Sequence, residues 1–375
     1  MSPTTLTHIC FFLANLQGGG AERMVANLAS GLSCRDVRVD LVLASATGPY
    51  LEDLDEQVRV VDLERRSLGR SIPAFIRYLR SERPQIVVAT LAYTSVGAAL
   101  GHALARSDSK FFIREASTPS QRSTSSPKAF VIEVLTRAAY RYADGILAVS
   151  EGVATDLQER MAVPAAKIAT LNNPVVTPDI VIKAAQDPGH RFFQEPGTPV
   201  ILAAGRLHPE KGYDTLIKAF AAVRSEQRSR LIILGEGAER ERLEALVSAM
   251  DLVEDVDLPG FVANPFAYMA RAAVFVLASV REGLPGVLIQ AMATGCPVVA
   301  TDCRSGPAEV LAGGRYGTLV PVGDVDRLAR AIKAVLDEPP DRESVRAGSY
   351  RYTSDRIIDD YRAYFERVLS LGPDA

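Results

Sequence analysis

The sequence of 375 residues predicts an α/β architecture with two doubly wound, Rossmann-like domains in tandem. Three features lead to this prediction. The chain is longer than one ordinary core requires, short apolar runs alternate with amphipathic stretches along most of it, and the alternation lapses once, over 174–198, before it restarts. Strands that are apolar along their whole length and separated by helices are typical of a parallel sheet covered on both faces.

The first domain is predicted over 1–173, where seven apolar runs have the length of strands. They lie at 8–16, 38–45, 58–63, 85–90, 110–115, 145–150 and 168–173. The segments between them, such as AERMVANLASGL and KAFVIEVLTRAAYRYA, repeat apolar residues at helical spacing. This alternation predicts a parallel sheet whose strands are connected by helices.

The stretch 174–198 is rich in Pro, Gly and Asp, which is typical of a linker. A second domain is predicted over 199–353 from six further apolar runs, at 200–207, 230–237, 254–261, 274–279, 296–302 and 317–322. The tail SDRIIDDYRAYFERVLSL, residues 354–371, has the pattern of a helix and is expected to pack back across the first domain.

Composition and charge disfavour several classes of protein. Hydrophobic residues make up 47% and charged residues 23%, and the net charge of −3 gives no basic field of the kind that binds nucleic acid. The four cysteines form no CxxC pair, so we expect free thiols in a reducing cytosol, neither disulfides nor a metal site. The N-terminus predicts a first strand rather than a signal peptide, and no apolar run approaches the length of a membrane span. We therefore expect a cytoplasmic protein.

The segment GGGAER, residues 18–23, follows the first predicted strand and admits two interpretations. It is a tight strand-to-helix turn, or it is a loop whose N–H groups face an anion at the start of a helix. A dinucleotide fingerprint would have glycine where Arg23 stands and an acidic residue at the end of the next strand, which instead ends in Ala44 and Ser45. An NAD site is therefore disfavoured.

The second domain opens with AAGRLHPEKGYDTLIKAF, residues 203–220, in which a strand leads to Arg206 and a turn leads to Lys211. Two cations five residues apart across a turn can bind a diphosphate, arginine through its planar fork and lysine as a point charge. The alternative interpretation is that both are solvated loop charges.

A third segment, ASVREGLPGVLIQAMATGCPVVATDC at 278–303, combines a carboxylate with the start of a predicted helix. Glu282 ends the loop after a strand, where it can accept hydrogen bonds from hydroxyl groups, and Pro285 is predicted in the first helical turn. Gln290 lies about two turns down the same face. The N–H groups predicted to face phosphate or sugar oxygens belong to Leu284, Gly286 and Val287. A lone glutamate before a helix is usually only a cap, so the combination is what makes the segment specific.

In this order, the motifs G-G-G-A-E-R, G-R-L-x-x-x-K-G and E-G-L-P-x-V-L-x-x-A-M-A-x-G-C-P-V-V-A-T-D resemble those of family 4 of the retaining glycosyltransferases. The resemblance runs from Gly18 to about Gly323 and implies the GT-B fold, in which two domains face a central cleft. It also implies transfer of a sugar, usually UDP- or GDP-linked, to an acceptor in the synthesis of surface polysaccharide or lipid-linked glycan. Neither a metal ion nor a cofactor is expected.

The resemblance implies a role for each motif. Arg206 and Lys211 would neutralise the donor diphosphate and Glu282 would hold a hydroxyl of the transferred sugar, so these three form the expected catalytic set. The backbone expected to support the sugar and phosphates is that of Gly283, Leu284, Gly286, Val287 and Leu288. The loop expected under the nucleotide base is Gly260, Phe261 and Val262. The residues expected to close the donor site from the first domain include Gly19 and Gly20. The expected acceptor side consists of Gly18, Gly19, Glu22, Arg23, Arg114 and Glu115.

Two positions depart from the family pattern. Gln290 stands where the family has a second glutamate, which binds the ribose diol, and an amide offers one acceptor oxygen and a donor NH2 in place of a carboxylate. We expect the lost charge-assisted hydrogen bond to weaken donor binding by ~1 kcal/mol. In the first domain, Arg114 and Glu115 end a predicted strand where many members carry a histidine, and the four histidines of this chain fit no catalytic pair.

The motifs offer no obvious carboxylate nucleophile, so the resemblance favours a front-face mechanism with retention, in which the departing diphosphate helps deprotonate the acceptor. The enzyme would then act by stabilising the leaving group and by positioning the substrates. Two alternatives stay open: a sugar-nucleotide epimerase with a GT-B-like fold, which needs no acceptor, and a non-enzymatic bilobed protein that binds sugar nucleotides.

The stretch ERRSLGRSIPAFIRYLRSERP, residues 64–84, holds six arginines and two glutamates. Its apolar residues at helical spacing on one face are Leu68, Ile72, Phe75, Ile76 and Leu79. That face either packs on the sheet and leaves the arginines solvated, or the stretch docks on anionic lipid, which suits a lipid-linked acceptor. Peripheral contact with the inner face of a membrane is therefore one of the two expectations.

Overall fold

The computed structural model describes residues 5–17, 19–65, 67–121 and 127–371. The chain divides into two compact units. Unit 1 takes in 1–174 and 354–375, and unit 2 takes in 175–353. Each unit is built on a parallel sheet whose strands are connected by helices, which confirms the predicted α/β architecture.

Unit 1 contains a seven-stranded sheet. Its strands are β1 (His8–Leu13), β2 (Arg38–Leu43), β3 (Arg59–Asp62), β4 (Ile86–Thr90), β5 (Lys110–Glu115), β6 (Gly145–Ala148) and β7 (Ile168–Thr170). Its helices are α1 (Gly20–Ser33), α2 (Leu68–Glu82), α3 (Ala92–Ala105), α4 (Pro127–Tyr142), α5 (Glu151–Glu159) and, at the far end of the sequence, α14 (Ser354–Ser370). The strand order is β3-β2-β1-β4-β5-β6-β7. Every residue of β1 and β4 is buried, as expected for central strands covered on both faces.

Unit 2 contains a six-stranded sheet. Its strands are β8 (Val200–Ala204), β9 (Arg230–Leu234), β10 (Val256–Gly260), β11 (Val274–Leu277), β12 (Val298–Thr301) and β13 (Thr318–Val320). Its helices are α6 (Ile180–Ala184), α7 (Tyr213–Glu226), α8 (Arg240–Ala249), α9 (Pro265–Arg271), α10 (Gly286–Ala293), α11 (Pro307–Val310), α12 (Val325–Asp337) and α13 (Arg342–Ala347). The strand order is β10-β9-β8-β11-β12-β13. Most of 174–198, expected as a linker, belongs to this unit, where Asn264 Nδ2 donates a hydrogen bond of 2.9 Å to the carbonyl oxygen of Lys183 on α6.

The strand order reverses once in each sheet, and the reversals set the positions of the motifs. β1 pairs with both β2 and β4, and β8 pairs with both β9 and β11, all in parallel. In open parallel sheets, ligands bind beyond the carboxyl ends of the strands at such a switch point. GGGAER follows β1, the Arg206–Lys211 segment follows β8, and Glu282 follows β11.

Helix α14 completes the core of unit 1. Tyr361 and Phe365 are fully buried, together with neighbouring isoleucines of the same helix. Against α1, a Cβ built on Gly31 would lie 1.9 Å from the Cδ1 of Ile358, so the absence of a side chain there permits close contact between the helices. Arg35 adds ion pairs of 3.1 Å to Asp355 and 2.6 Å to Asp359. The tail therefore packs on the first unit.

Helix α2 packs its apolar face within unit 1. Leu68, Phe75 and Leu79 are buried, and Ile72 and Ile76 are half-buried. The arginines of the helix that are exposed are Arg70, Arg77 and Arg80. The apolar residues of 64–84 are thus used in packing, whereas these three arginines are exposed. In the part of the chain that the structure describes, no helix combines the length and the apolarity required to cross a membrane.

Candidate active site

The turn between β8 and α7 carries the two cations predicted to bind a diphosphate. Arg206 is exposed, and its guanidinium has no hydrogen-bond or ion-pair partner among the described residues. Lys211 ends a short 3-10 turn and is followed by Gly212, whose φ of 62° is left-handed. A Cβ on Gly212 would lie 2.2 Å from the carbonyl oxygen of Ala278, so glycine is required for the turn to approach the end of β11.

Lys211 and Glu282 meet in an ion pair, although 71 residues separate them in sequence. The Nζ of Lys211 lies 2.6 Å from Oε1 of Glu282, and the Oγ of the fully buried Ser279 donates to the same oxygen at 2.7 Å. The side chain of Lys211 is 24% exposed and that of Glu282 is 11% exposed. The structure therefore brings two of the three predicted catalytic residues together and adds Ser279, which the motifs did not indicate.

Tyr213 is a second residue of this site that the sequence did not single out. Its hydroxyl is buried and has no hydrogen-bond partner among the described residues. Burial, reinforced by the negative charge of Glu282, raises the pKa of Tyr213 above its ordinary value. The hydroxyl oxygen would lie 2.9 Å from a Cβ built on Gly205, so the glycine before Arg206 allows the phenol to reach the backbone. The one available signal was its position directly after the Lys-Gly pair.

Helix α10 presents its amino end and one face to solvent. It begins at Gly286, and Pro285 precedes the helix as its N-cap residue instead of lying in the first turn. The N–H groups of Gly286 and Val287 find no acceptor among the described residues, because the first intrahelical bonds are those of Leu288 and Ile289 to the carbonyl oxygen of Pro285. Two free N–H groups at a helix amino end are suited to an anion.

Gln290 lies on the same face of α10, one turn beyond Gly286. Gly286, Val287 and Gln290 are half-buried, whereas the rest of the helix is buried. No described residue hydrogen-bonds to the side-chain amide of Gln290. Its oxygen and NH2 group are therefore available to a ligand. The neighbouring Leu284 and Leu288 are buried, so their side chains are not available to such a site, and the N–H of Leu288 is already bonded to the carbonyl oxygen of Pro285.

The loop predicted to lie under a nucleotide base follows β10. Gly260 has a φ of 90°, and a Cβ there would lie 2.6 Å from Oε1 of Glu236. Its carbonyl oxygen accepts a 2.8 Å hydrogen bond from the N–H of Gly235, which joins the carboxyl ends of β9 and β10. Phe261 is 74% exposed, and Val262 is half-buried. An exposed phenyl ring at the carboxyl edge of the sheet is a surface on which a planar group can stack.

In unit 1, Gly19 of the GGGAER segment is the N-cap residue of α1, which begins at Gly20. Gly18 lies outside the described residues. A Cβ built on Gly19 would lie 2.0 Å from Oε2 of Glu22, so the glycine makes room for that carboxylate, whereas Gly20 has open space around it. The guanidinium of Arg23 lies 5.7 Å from the centre of the Tyr50 ring. Glu22 and Arg23 thus bring both signs of charge to the carboxyl end of β1.

Arg114 and Glu115, predicted on the acceptor side, are buried inside unit 1. Arg114 donates to Asn173 Oδ1 and, over 3.3 Å, to the hydroxyl of Tyr361, while its Nη1 has no partner among the described residues. Glu115 accepts a 2.6 Å hydrogen bond from the hydroxyl of Tyr140. In this structure both side chains connect secondary-structure elements instead of lining the surface of the unit.

Two family models match the chain. The model described as "Glycosyl transferases group 1" matches residues 198–338, and the model described as "Glycosyl transferase 4-like domain" matches residues 19–174. The first match lies within unit 2 and the second within unit 1, so each model covers most of one unit.

Relatives of known name are similar to this chain over most of its length. It is 29% identical over 356 residues to N-acetylgalactosamine-N,N'-diacetylbacillosaminyl-diphospho-undecaprenol 4-alpha-N-acetylgalactosaminyltransferase of Campylobacter jejuni, a match that covers 89% of this chain and 92% of the relative. It is 26% identical over 330 residues to the lipopolysaccharide core biosynthesis glycosyltransferase LpsE of Rhizobium meliloti, with 85% and 86% covered.

Solved structures are similar in fold. The crystal structure of Anabaena HepE in complex with UDP has a TM-score of 0.80 to this chain at 20% identity and covers 96% of this chain and 100% of its own. The lipopolysaccharide outer core galactosyltransferase WaaB has a TM-score of 0.73 at 20% identity and covers 96% and 99%. At these identities the likeness establishes the fold.

Proposed function

Since this chain belongs to the glycosyl transferases group 1 family and has the GT-B fold, we infer from its described side chains how it carries out a glycosyl transfer. The enzyme transfers a sugar from a nucleotide-diphosphate sugar to an acceptor in the synthesis of polysaccharide or lipid-linked glycan. We assign the donor to unit 2, beyond the carboxyl ends of β8 and β11.

The observation that carries this assignment is the ion pair between Lys211 and Glu282 at the switch point of the sheet. When a donor binds, we expect the ammonium group to turn towards the phosphate oxygens. The carboxylate, still held by Ser279, would then accept a hydrogen bond from a hydroxyl of the sugar. The free guanidinium of Arg206 supplies a second positive charge for the diphosphate.

The proposed reaction proceeds with retention and without a metal ion. The bond between the anomeric carbon of the donor and the diphosphate oxygen breaks, and its electron pair leaves with the diphosphate. The acceptor hydroxyl oxygen bonds to that carbon from the same face, and its proton passes to a phosphate oxygen of the leaving group. Arg206 and Lys211 stabilise the charge that develops on the diphosphate, which is the role a divalent cation has in other enzymes.

The nucleoside of the donor is assigned to the neighbouring loop and helix. Phe261 would support the base, and the free amide of Gln290 would bind the ribose diol. The N–H groups at the start of α10 would face the phosphates or the sugar. We propose uridine as the nucleoside, and the binding of UDP by the structurally similar HepE supports this choice.

The acceptor side is assigned to unit 1, around Gly19, Glu22 and Arg23. The Campylobacter relative is named for an acceptor joined to diphospho-undecaprenol. We propose a glycan or lipid-linked acceptor here, used by a cytoplasmic enzyme that contacts anionic membrane peripherally. The exposed arginines of α2 support such contact, because cationic side chains are attracted to anionic headgroups.

A lysine substitution tests the donor site. Lys211→Ala should lower kcat by roughly 10²–10³ while the chain stays folded, because one charge that stabilises the leaving group is lost. Lys218→Ala, which removes an exposed lysine one turn into α7, is the matched control. Turnover of Lys211→Ala at the rate of this control would remove Lys211 from the diphosphate.

A second experiment identifies the donor and tests the reaction class. UDP-, GDP- and ADP-sugars are screened for their ability to raise the melting temperature, since a ligand stabilises the state that binds it. The stabilising donor is then incubated in EDTA, with and without a glycan acceptor. We expect transfer that needs the acceptor and survives EDTA. Formation of an epimer from the donor alone would contradict a transferase.

A further inference from the structure

Helix α3 of unit 1 turns an apolar face to solvent. The helix contains no Lys, Arg, Asp or Glu. Its exposed residues Tyr93, Leu100 and Leu104 are 55%, 50% and 54% exposed, and they recur at the spacing of one helical face. A helix on the surface of a globular protein normally presents polar residues at these positions.

Helix α4, which packs beside α3, also exposes apolar side chains where a surface helix normally has polar ones. Phe130, Val131, Val134 and Leu135 are between 46% and 60% exposed, at i, i+1, i+4 and i+5. The apolar surface is defined here as Leu100, Leu104, Phe130, Val131, Val134 and Leu135. Single exposed apolar residues are ordinary, but several exposed on two helices that pack together indicate a site of interaction.

The elements around the apolar surface are strongly basic, although the whole chain has a net charge of −3. The segments 68–109 and 127–142 contain seven arginines and three acidic residues. The arginines, all exposed, are Arg70, Arg77, Arg80, Arg83, Arg106, Arg137 and Arg141. Of the acids, Glu82 is paired with Arg38 and Arg59, and Glu133 with Arg137. The segments that carry and adjoin the apolar surface thus have an excess of positive charge.

Three of these arginines line one cavity next to the apolar surface. The cavity, of about 300 Å³, lies at the carboxyl ends of α2 and α3 and is lined by Arg80, Arg83, Arg106 and Asp108 among others. The Nη2 of Arg80 donates a 2.9 Å hydrogen bond to the carbonyl oxygen of Leu104, which places the cavity beside an exposed leucine. A phosphate would find guanidinium donors there and an acyl chain would find the leucine.

We propose that the apolar surface and its arginines dock this enzyme on a bilayer that contains anionic phospholipid. The apolar side chains enter the interface, and the arginines, including those of the cavity, bind headgroup phosphates. The proposal rests on the peripheral membrane contact proposed above and deepens it, because it names α3 and α4 as the elements that enter the lipid. The apolar residues of 64–84, by contrast, are used in packing.

Charge complementarity is what favours a bilayer over another occupant. A second copy of this chain would bring the same arginines against one another, and like charges at an interface are costly. A bilayer with anionic headgroups presents both kinds of partner on one surface. Its acyl chains can bury the leucines, and its phosphates can bind the guanidinium groups.

Vesicle flotation with the full-length chain tests the proposal. The chain should float with vesicles of phosphatidylcholine that contain phosphatidylglycerol and much less with phosphatidylcholine alone. Leu100→Ser/Leu104→Ser and Phe130→Ser/Val134→Ser should each lower the partition coefficient by about tenfold or more, since apolar area no longer enters the interface. The matched control is Val181→Ser/Ile182→Ser, which replaces two side chains of unit 2 that are each 71% exposed.

The charged part is tested in the same assay. Arg83→Gln/Arg106→Gln should lower partition into the anionic vesicles by roughly 30-fold and hardly change it with neutral ones, because each arginine near an anionic surface contributes about fivefold. The control is Arg228→Gln/Arg327→Gln, a pair of arginines of unit 2 with side chains 68% and 62% exposed. Equal losses in test and control pairs would overturn the proposal.

Two further measurements separate the possible failures. Light scattering without vesicles would overturn the proposal if it showed a dimer that the serine variants convert to monomers. Thermal stabilisation by UDP reports the donor site without any lipid. A chain that binds UDP but ignores anionic vesicles would therefore refute membrane docking and leave the proposed transferase site intact, and the reverse result would refute the proposed uridine donor alone.

Discussion

At the scale of single residues, the proposed donor site combines polar groups that have a hydrogen-bond partner with polar groups that have none among the described residues. Glu282 holds Lys211 and Ser279, whereas the hydroxyl of Tyr213 and the amide of Gln290 lack partners among the described residues. A buried hydroxyl without a partner costs stability, so its retention is understandable if a bound ligand supplies the partner. Substitution of the residues whose polar groups lack a hydrogen-bond partner is therefore the most informative test of ligand binding.

Tyr213→Phe separates a ligand contact from a packing role. Removal of an unpartnered buried hydroxyl should leave the melting temperature unchanged or raise it slightly, because no hydrogen bond of the empty protein is lost. If the hydroxyl donates to the donor, kcat/KM should fall by roughly tenfold, the equivalent of one hydrogen bond. Tyr268→Phe, at a tyrosine of α9 packed edge-on against His190, is the control. A stability loss with unchanged kinetics would make Tyr213 structural.

Gln290 is tested by two opposite changes. Gln290→Glu should bind UDP as well as the wild type or several-fold better, because a carboxylate accepts from both ribose hydroxyls, a gain of up to ~1 kcal/mol. Gln290→Leu should weaken binding, since the diol would lose water without gaining a partner. Calorimetric titration of UDP into the three proteins measures the order. Equal affinities would show that Gln290 does not contact the ribose.

The residues of the candidate site also show which functional residues could be predicted from the sequence and which could not. Arg206, Lys211 and Glu282 could be predicted as candidates because each belongs to a motif in which residue type and spacing suit a diphosphate or a sugar, and the structure brings Lys211 and Glu282 into contact. Ser279 and Tyr213 could not be found in this way, since their importance comes from burial and from the contact between β8 and β11. Nor could the sequence reveal that Arg114 is buried, because that depends on its contact with α14, far away along the chain.

At the scale of elements, the residue at position 212 decides whether the turn between β8 and α7 can approach the end of β11. Gly212→Ala should be strongly destabilising and should lower activity, because the left-handed φ disfavours a side chain and the new Cβ would collide with the carbonyl oxygen of Ala278. Gly189→Ala is the control: its φ of 65° is nearly the same, but nothing lies within 4 Å. The control should lose only about 1 kcal/mol of stability. Equal losses in urea unfolding would contradict the steric account.

A buried carboxylate connects three elements of unit 1 and predicts a dependence on pH. Asp40 of β2 accepts hydrogen bonds of 3.0 Å from His8 of β1 and 2.7 Å from Tyr78 of α2, with Arg38 at 3.2 Å and Arg59 at 3.7 Å. Burial alone would raise the pKa of Asp40. The hydrogen bonds from His8 and Tyr78 are the largest of the interactions that oppose burial and hold this pKa below its ordinary value. Its charged form therefore stabilises the fold at neutral pH.

The sign of this effect follows from the lowered pKa of Asp40. The stabilisation is present above the unfolded pKa of about 4 and is lost as the pH falls through the lower, folded pKa. Asp40→Asn should cost about 2 kcal/mol at pH 7, and the difference from the wild type should shrink below about pH 4. Urea unfolding at several pH values measures this, with the exposed Asp53→Asn as control. A constant difference down to acid pH would exclude the linkage.

The elements themselves were largely predictable, but their ends and exposed faces were not. The run 200–207 predicted a strand that in fact ends at Ala204, because the chain turns at Gly205 towards Lys211. The periodicity of 64–84 correctly located α2, and its apolar face packs within unit 1. An apolar pattern alone cannot say which face is covered, so the exposure of the apolar residues of α3 and α4 could not be predicted from the sequence.

At the scale of the whole molecule, α14 belongs to unit 1 although unit 2 precedes it in the sequence. Phe365→Ala, at a fully buried position, should destabilise unit 1 by about 3 kcal/mol or more through the cavity that it leaves. Hydrogen exchange should speed up in α1 and leave α7 unchanged. Leu371→Ala, at a side chain 53% exposed just after α14, is the control. Equal acceleration in both helices would mean that the two units do not unfold separately.

Because α14 packs on unit 1, the two units are not completed in the order in which their synthesis begins. A ribosome makes the seven strands of unit 1 first, but the core that they share with α14 cannot close until residues 175–353 have been made. Unit 2 is continuous in sequence and can fold as soon as it emerges. The part begun first is therefore finished last, and a chain interrupted within unit 2 leaves the apolar side of α1 uncovered, as a target for chaperones and proteases.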